Sequence, residues 1–146
     1  MSVQEQQEMK EKYYAEAMCY MDNAKEYLKQ AQKGGKIYRN PKYVRTACGT
    51  AYNGVLIALD CYLMLKGVKK PSKKDRKSTV SERSRTIEFY QKNLAKLDRK
   101  MLDYLNMAYQ ILHLYGYYDG IEDTVVVKRG FDLANAILEK INPAMS

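Results

Sequence analysis

One histidine stands among 146 residues, so any imidazole chemistry in this chain must run through His113. It sits in the segment Tyr109-Gln-Ile-Leu-His-Leu-Tyr-Gly-Tyr-Tyr-Asp-Gly120, beside Tyr117 and Tyr118. At helical spacing Asn106, Gln110, His113 and Tyr117 share a polar edge. That edge predicts an acid–base or anchoring residue at a cleft, with Tyr117 and Tyr118 as companions. The plainer reading is a histidine near a helix C-terminus, held by the last carbonyls and the helix dipole. A second pair, Asn53 and Asp60, lies seven residues apart with Ile57 between them. They are candidates to line a cleft or a dimer seam, against the plainer reading of a thin solvated edge. A carboxylate in so apolar a stretch must be exposed or paired.

No serine or cysteine stands in a nucleophile elbow, and the glycines fit helix ends and turns rather than a phosphate cradle. The cysteines, Cys19, Cys48 and Cys61, are odd in number and form no C-x-x-C. Cys48 and Cys61 fall on one predicted helix about 20 Å apart, too far to pair. The pattern predicts buried, reduced thiols, no metal site, no cofactor and a cytoplasmic location.

The charge has a location. The net charge is +8, yet residues 66–100 hold 13 basic and 4 acidic residues, a net of +9. Lys73, Lys74 and Arg76 lie in the connection, and Arg85, Lys92, Lys96 and Arg99 follow at spacings that give one helical face. These seven are candidate contacts to phosphate, first of all an RNA or DNA backbone. A solvated loop and helix face is the plainer reading.

What must position these residues is helical. Apolar residues make up 46% of the chain, with 14 Tyr, 8 Gly, 3 Pro and no Trp. That excludes a collagen, a disulfide scaffold and a disordered chain. The longest wholly apolar run, residues 55–59, is far short of the roughly 20 that span a bilayer, and no secretory signal opens the sequence. A first helix is predicted from about Val3 to Lys33, with a stripe of Tyr13, Ala17, Tyr20, Ala24, Tyr27 and Ala31, ended by Gly34-Gly35. Asn40 as cap and Pro41 at the first position open a second helix that reaches about Lys66. It is so poor in charge that it must be central or meet another chain. Ala47, Ala51, Gly54 and Ala58 give it a small-residue groove. A basic connection covers about 67–80, and Thr79 with Glu82 is a capping-box pattern. The apolar spacing from Ile87 to Tyr115 predicts two helices, broken near Leu97-Asp98, with Gly116 and Gly120 ending the second. Asp123 or Thr124 caps a last helix to about Ile141, its inner face Val127, Phe131, Ala134, Leu138 and Ile141. The expected architecture is one all-α domain over residues 1–146, a four- to five-helix up-and-down bundle.

A long first helix, the small-residue segment Arg45-Thr-Ala-Cys-Gly-Thr-Ala-Tyr-Asn-Gly-Val-Leu-Ile-Ala-Leu-Asp-Cys-Tyr-Leu, a basic connection, Leu112-His-Leu-Tyr-Gly-Tyr-Tyr-Asp-Gly and a closing helix together resemble the HEPN-like superfamily. The resemblance implies a helical bundle, often a homodimer. It implies either a metal-independent RNase or a non-catalytic module that binds a partner such as a nucleotidyltransferase. The RNase members carry Arg four to six residues before His. Here Arg99 is fourteen before His113, and the next arginine after it is Arg129. The expected function is therefore a non-catalytic, dimeric binding or regulatory module, linked to toxin–antitoxin or RNA-related processes. The alternatives are a degenerate RNase using His113, and a nucleic-acid binder through residues 66–100.

Overall fold

Ser2 accepts a hydrogen bond from the Glu5 amide and Glu5 returns one to the Ser2 amide, and this capping box starts the longest helix. The computed structural model describes residues 1–69 and 80–145, and of residues 80–86 the backbone alone. The helices are α1 (Val3–Gln30), α2 (Pro41–Leu65), α3 (Val80–Leu97), α4 (Arg99–Ala108) and α5 (Thr124–Glu139), with a π-helical segment, Tyr109–Tyr118, continuing α4. The architecture is the expected all-α bundle. The capping pattern at Thr79 falls outside the described residues.

Helix α2 is the centre of the bundle, packed by α1, the π segment and α5. Its small residues explain why. Ala47, Ala51, Gly54 and Ala58 are buried, and a Cβ at Gly54 would meet the Ala17 carbonyl oxygen of α1 at 3.2 Å. The glycine therefore lets α1 lie close. Of the two readings of its low charge, a central helix or a face that meets another chain, the central position is the one observed within the chain. By length and composition α2 is apolar enough to cross a membrane, with half of its most apolar 18-residue window buried. Counting only unbroken apolar runs overlooked this, because tyrosines, cysteines, threonines and glycines interrupt the run without adding charge.

Four expectations are corrected. Helix α1 stops at Gln30, not Lys33. Gln32 turns left-handed (φ 54°), and Lys33–Gly34 (β1) pairs antiparallel with Ile37–Tyr38 (β2). This small hairpin clasps the start of α5: the Tyr38 amide donates to the Glu122 carbonyl and the Thr124 amide to the Lys36 carbonyl. The buried stripe of α1 runs through Ala17, Met21 and Ala24, with Tyr27 exposed, because a tyrosine can lie half out and hold its hydroxyl in water. Asn40 precedes α2, but its amide donates back to the Gln30 carbonyl instead of capping the helix that follows. Cys19 is exposed, whereas Cys48 and Cys61 are buried as expected.

The break near Leu97-Asp98 is present and has a physical cause. Asp98 adopts an extended backbone, and its carboxylate accepts from the Met101 amide at 3.1 Å and from the Tyr62 hydroxyl at 2.7 Å. Burial alone would push its carboxyl up. The Tyr62 hydroxyl, the Met101 amide, the Lys140 charge and the Lys100 amide outweigh burial and hold it below the usual range. A carboxyl depressed in the folded state adds stability above its unfolded pKa of about 3.9, and that stability is lost as pH falls through the folded value. Asp98→Ala is therefore expected to cost about 1–2 kcal/mol near neutral pH. In urea melts the deficit should shrink on acidification below about pH 4. A deficit unchanged by acid would show that the charge plays no part.

Candidate functional site: an aromatic cleft between α2 and the π segment

The π segment sets the geometry. A π-helix closes i to i+5 hydrogen bonds and is often found at functional sites. Here Tyr109, His113 and Tyr117, each four residues from the next, form a ladder of rings. Tyr109 and His113 have centroids 5.2 Å apart at 27°, and His113 and Tyr117 are 5.9 Å apart at 8°. Tyr52 of α2 lies 4.8 Å from the His113 ring at 30°, and Tyr118 meets it edge-on at 4.9 Å. The polar edge expected at α-helical spacing is split by this change of period. Asn106 accepts from Gln91 of α3, and Gln110 donates to the Tyr115 hydroxyl. His113 and Tyr117 face the cleft.

Between this ladder and α2 lies a cavity of about 440 Å³. Thr46, Gly49, Thr50 and Asn53 line the α2 wall, Tyr109, His113 and Tyr117 the other, and Tyr52, Leu56 and Ile87 complete it. Gly49 is why the walls approach: a Cβ there would stand 2.7 Å from the Tyr117 ring. The hydroxyls of Thr46 and Thr50 donate to the carbonyls of Lys42 (3.0 Å) and Thr46 (2.8 Å). Their protons are spent on the helix, and their lone pairs remain.

Of the residues expected from sequence, the fold brings His113, Tyr117 and Asn53 into one cavity. Tyr118 touches His113 but does not line the cavity. Its carbonyl accepts from the Arg45 guanidinium at 2.5 Å, which brings an arginine to the turn after His113 from 73 residues away. Ile57 packs half-buried against the core. Asp60 does not join Asn53. It is buried and accepts from the Tyr90 hydroxyl of α3 at 2.5 Å. Lys92, Lys96 and Arg99 are exposed, but the extended backbone of Asp98 interrupts the helix between Lys96 and Arg99. The single face counted through all three is therefore not continuous. Lys73, Lys74 and Arg76 lie outside the described residues, and Arg85 is placed only by its backbone on α3. Sequence reasoning missed Thr46, Thr50, Tyr52 and Tyr109. A signal existed: Thr46, Thr50 and Asn53 fall at i, i+4 and i+7, a polar line along an otherwise apolar helix.

Burial holds the protons of one cleft tyrosine and of two buried thiols. Burial, with nearby Tyr109 adding, pushes the Tyr52 hydroxyl up. Burial also pushes the Cys48 thiol to about 12. The Cys61 thiol rises to about 11, burial outweighing the lowering by Lys10, with Asp60 adding. Thiols so protonated are poor nucleophiles and poor metal ligands. Among the described residues no three His, Cys, Asp or Glu side chains cluster to hold a metal.

The model of a domain of unknown function, DUF5618, matches residues 12–143. A solved protein of unknown function from Dyadobacter fermentans is 33% identical, with TM-score 0.73, covering 94% of this chain and 98% of its own. No curated protein matches.

Proposed function

We propose that this chain, which belongs to the DUF5618 family, is a non-catalytic, HEPN-like binding module whose binding site is the cleft between α2 and the π segment. One observation carries the reading: His113, Tyr117 and Asn53, scattered in sequence, meet in one cavity of about 440 Å³. That lies in the size range of small-ligand sites. The all-helical bundle and the place of His113 between helices support the likeness to the HEPN-like superfamily. Protonated Tyr52 and thiols favour binding over catalysis.

A plug tests it. Asn53→Trp fills the cleft from an exposed position on α2. Saturation-transfer NMR with a mixed set of small aromatic fragments should show contacts to the wild-type protein that the plugged variant loses. Fragments that bind both proteins equally, or neither, would overturn the reading.

The degenerate RNase is favoured by one observation, the approach of Arg45 to the turn after His113. It predicts metal-independent cleavage that disappears in His113→Ala. We expect mixed RNAs to stay intact on gels with both proteins in chelator. The homodimer expected from the charge-poor α2, half of whose most apolar window is not buried within the chain, predicts a dimer in sedimentation at micromolar concentration, and a clean monomer would remove it.

A further inference from the structure

We propose that the end of the bundle built from the β1–β2 hairpin and the first turns of α2 docks a partner protein, through an acidic segment that carries an apolar side chain. This face is separate from the cleft, and none of its charged residues lines that cavity.

Its charge has one sign along the chain. No Asp or Glu stands between Glu26 and Asp60, while Lys33, Lys36, Arg39, Lys42 and Arg45 recur at every third residue. All five are exposed. The ion pairs among the described residues, Lys29–Glu26 and Lys128–Asp132, involve none of them. Cations gathered without counter-charges favour an anionic partner.

Two of the five are held in place. A Cβ at Gly34 would stand 2.6 Å from Arg39 Nε, and one at Gly120 would stand 2.7 Å from Arg45 Nε. Each guanidinium thus occupies space that a glycine keeps open. Arg45 is fixed further by donating to the Tyr118 carbonyl. A guanidinium already held has less rotamer freedom to lose when a partner arrives, and its fork matches a carboxylate with paired hydrogen bonds.

The same face has apolar groups to bury. Side chains alternate along β2, so Tyr38 enters the core while Ile37 and the following Arg39 stay outside. The amide and hydroxyl of Thr124 both donate to the Lys36 carbonyl, at 3.0 and 3.1 Å, which brings the start of α5 beside the hairpin. Ile37 is 50% exposed and Val125 68%. Exposed apolar side chains beside held arginines match the composition of protein interfaces.

Asp119, Glu122 and Asp123, all exposed just before α5, decide the class of partner. A lipid surface or a nucleic-acid backbone carries negative charge throughout and would meet these carboxylates with repulsion. A protein segment places its carboxylates singly, opposite Arg39, Arg45 and the lysines, and its apolar side chain on Ile37 and Val125.

A titration of the protein with the peptide Glu-Glu-Leu-Asp-Glu-Leu, followed by amide NMR, tests this. The shifts should fall in residues 33–45 and 118–125. The same peptide with Gln and Asn for its acids is expected to bind about tenfold more weakly. Gly34→Ala keeps every charge, and its Cβ displaces only the Arg39 side chain, so the protein should fold with an unchanged thermal midpoint. It should bind the acidic peptide about fivefold more weakly, as should Arg39→Gln, because the held guanidinium is lost in both. Lys92→Gln with Lys96→Gln removes two charges from α3 and should leave the affinity unchanged. No binding of the acidic peptide at millimolar concentration, equal affinity for the two peptides, or Gly34→Ala binding like wild type overturns the proposal. So does a loss in the Lys92 and Lys96 variant as large as that in Arg39→Gln, which would reduce the contact to unspecific charge. Vesicles of phosphatidylserine with phosphatidylcholine, and polyuridylate, are the competing probes. If Arg39→Gln weakens either as much as it weakens the peptide, the face serves a lipid surface or a nucleic acid and the proposal falls.

Discussion

Gly116→Ala is expected to destabilise the protein by about 2–3 kcal/mol, the upper part of the range for overpacking a filled core. At an exposed helical site the same change would stabilise by up to about 1 kcal/mol, because alanine is the better helix former. The sign reverses here because Gly116 is buried where the π segment crosses α2. An added Cβ would overlap the Cys48 side chain and stand 3.1 Å from the Ile111 carbonyl oxygen. Neither obstacle yields cheaply. Cys48 is fully buried and the carbonyl is backbone. For a chain of this size the loss reads as about 5–10 °C in thermal midpoint. A double-mutant cycle with Cys48→Ala isolates the cause. Removing the sulfur frees part of the space, so the pair should be less destabilised than the sum of the single changes. A stabilised Gly116→Ala would mean that the close crossing does not exist in solution.

Gly116 also shows where sequence reading stops. It is expected to end a helix and instead lies inside one, at a contact with a residue 68 positions away. Local signals carried most of the architecture: Pro41 at the start of α2, Asp98 at the break, Asp123 before α5, and the inner face of α5 from Val127 to Leu138 are where their side-chain chemistry requires. The glycines of α2 were legible too, since a helix keeps Gly49 and Gly54 only for close packing, and Tyr117 and α1 occupy those places. The candidate site was legible residue by residue but not as a constellation. An assumed period of 3.6 places His113 beside Asn106 and Gln110, whereas the π segment turns it toward Tyr52. No intrinsic preference of Tyr109–Tyr118 announces a wider helix, and the elements it packs against, α2 and α5, are distant in sequence or follow it. The hairpin at Lys33–Tyr38 was hidden for the same reason. Two-residue strands carry no periodicity, and their partner, the start of α5, is far along the chain.

The burial of Asp60 leads to the other large effect. Tyr90→Phe is expected to cost about 1.5–3 kcal/mol, the range for losing a hydrogen bond to a charged group. Tyr90 is 2% exposed and Asp60 9%, so water cannot readily replace the lost hydroxyl. The bond also has leverage. Among the described residues α3 packs mainly on α4, and the Tyr90–Asp60 contact ties it directly to the central helix α2. Loosening that tie should show first as faster amide exchange along α3, before any global loss of structure, since local opening follows the weakest attachments. Asp60→Asn provides the comparison: its side-chain oxygen still accepts from the Tyr90 hydroxyl, so the tie persists and α3 exchange should rise less than in Tyr90→Phe. Because Ile87 stands on α3 and lines the cleft, freeing α3 should also open one end of the binding site. If Tyr90→Phe stays within about 0.5 kcal/mol of wild type, as an ordinary surface change would, the hydroxyl is not what anchors α3.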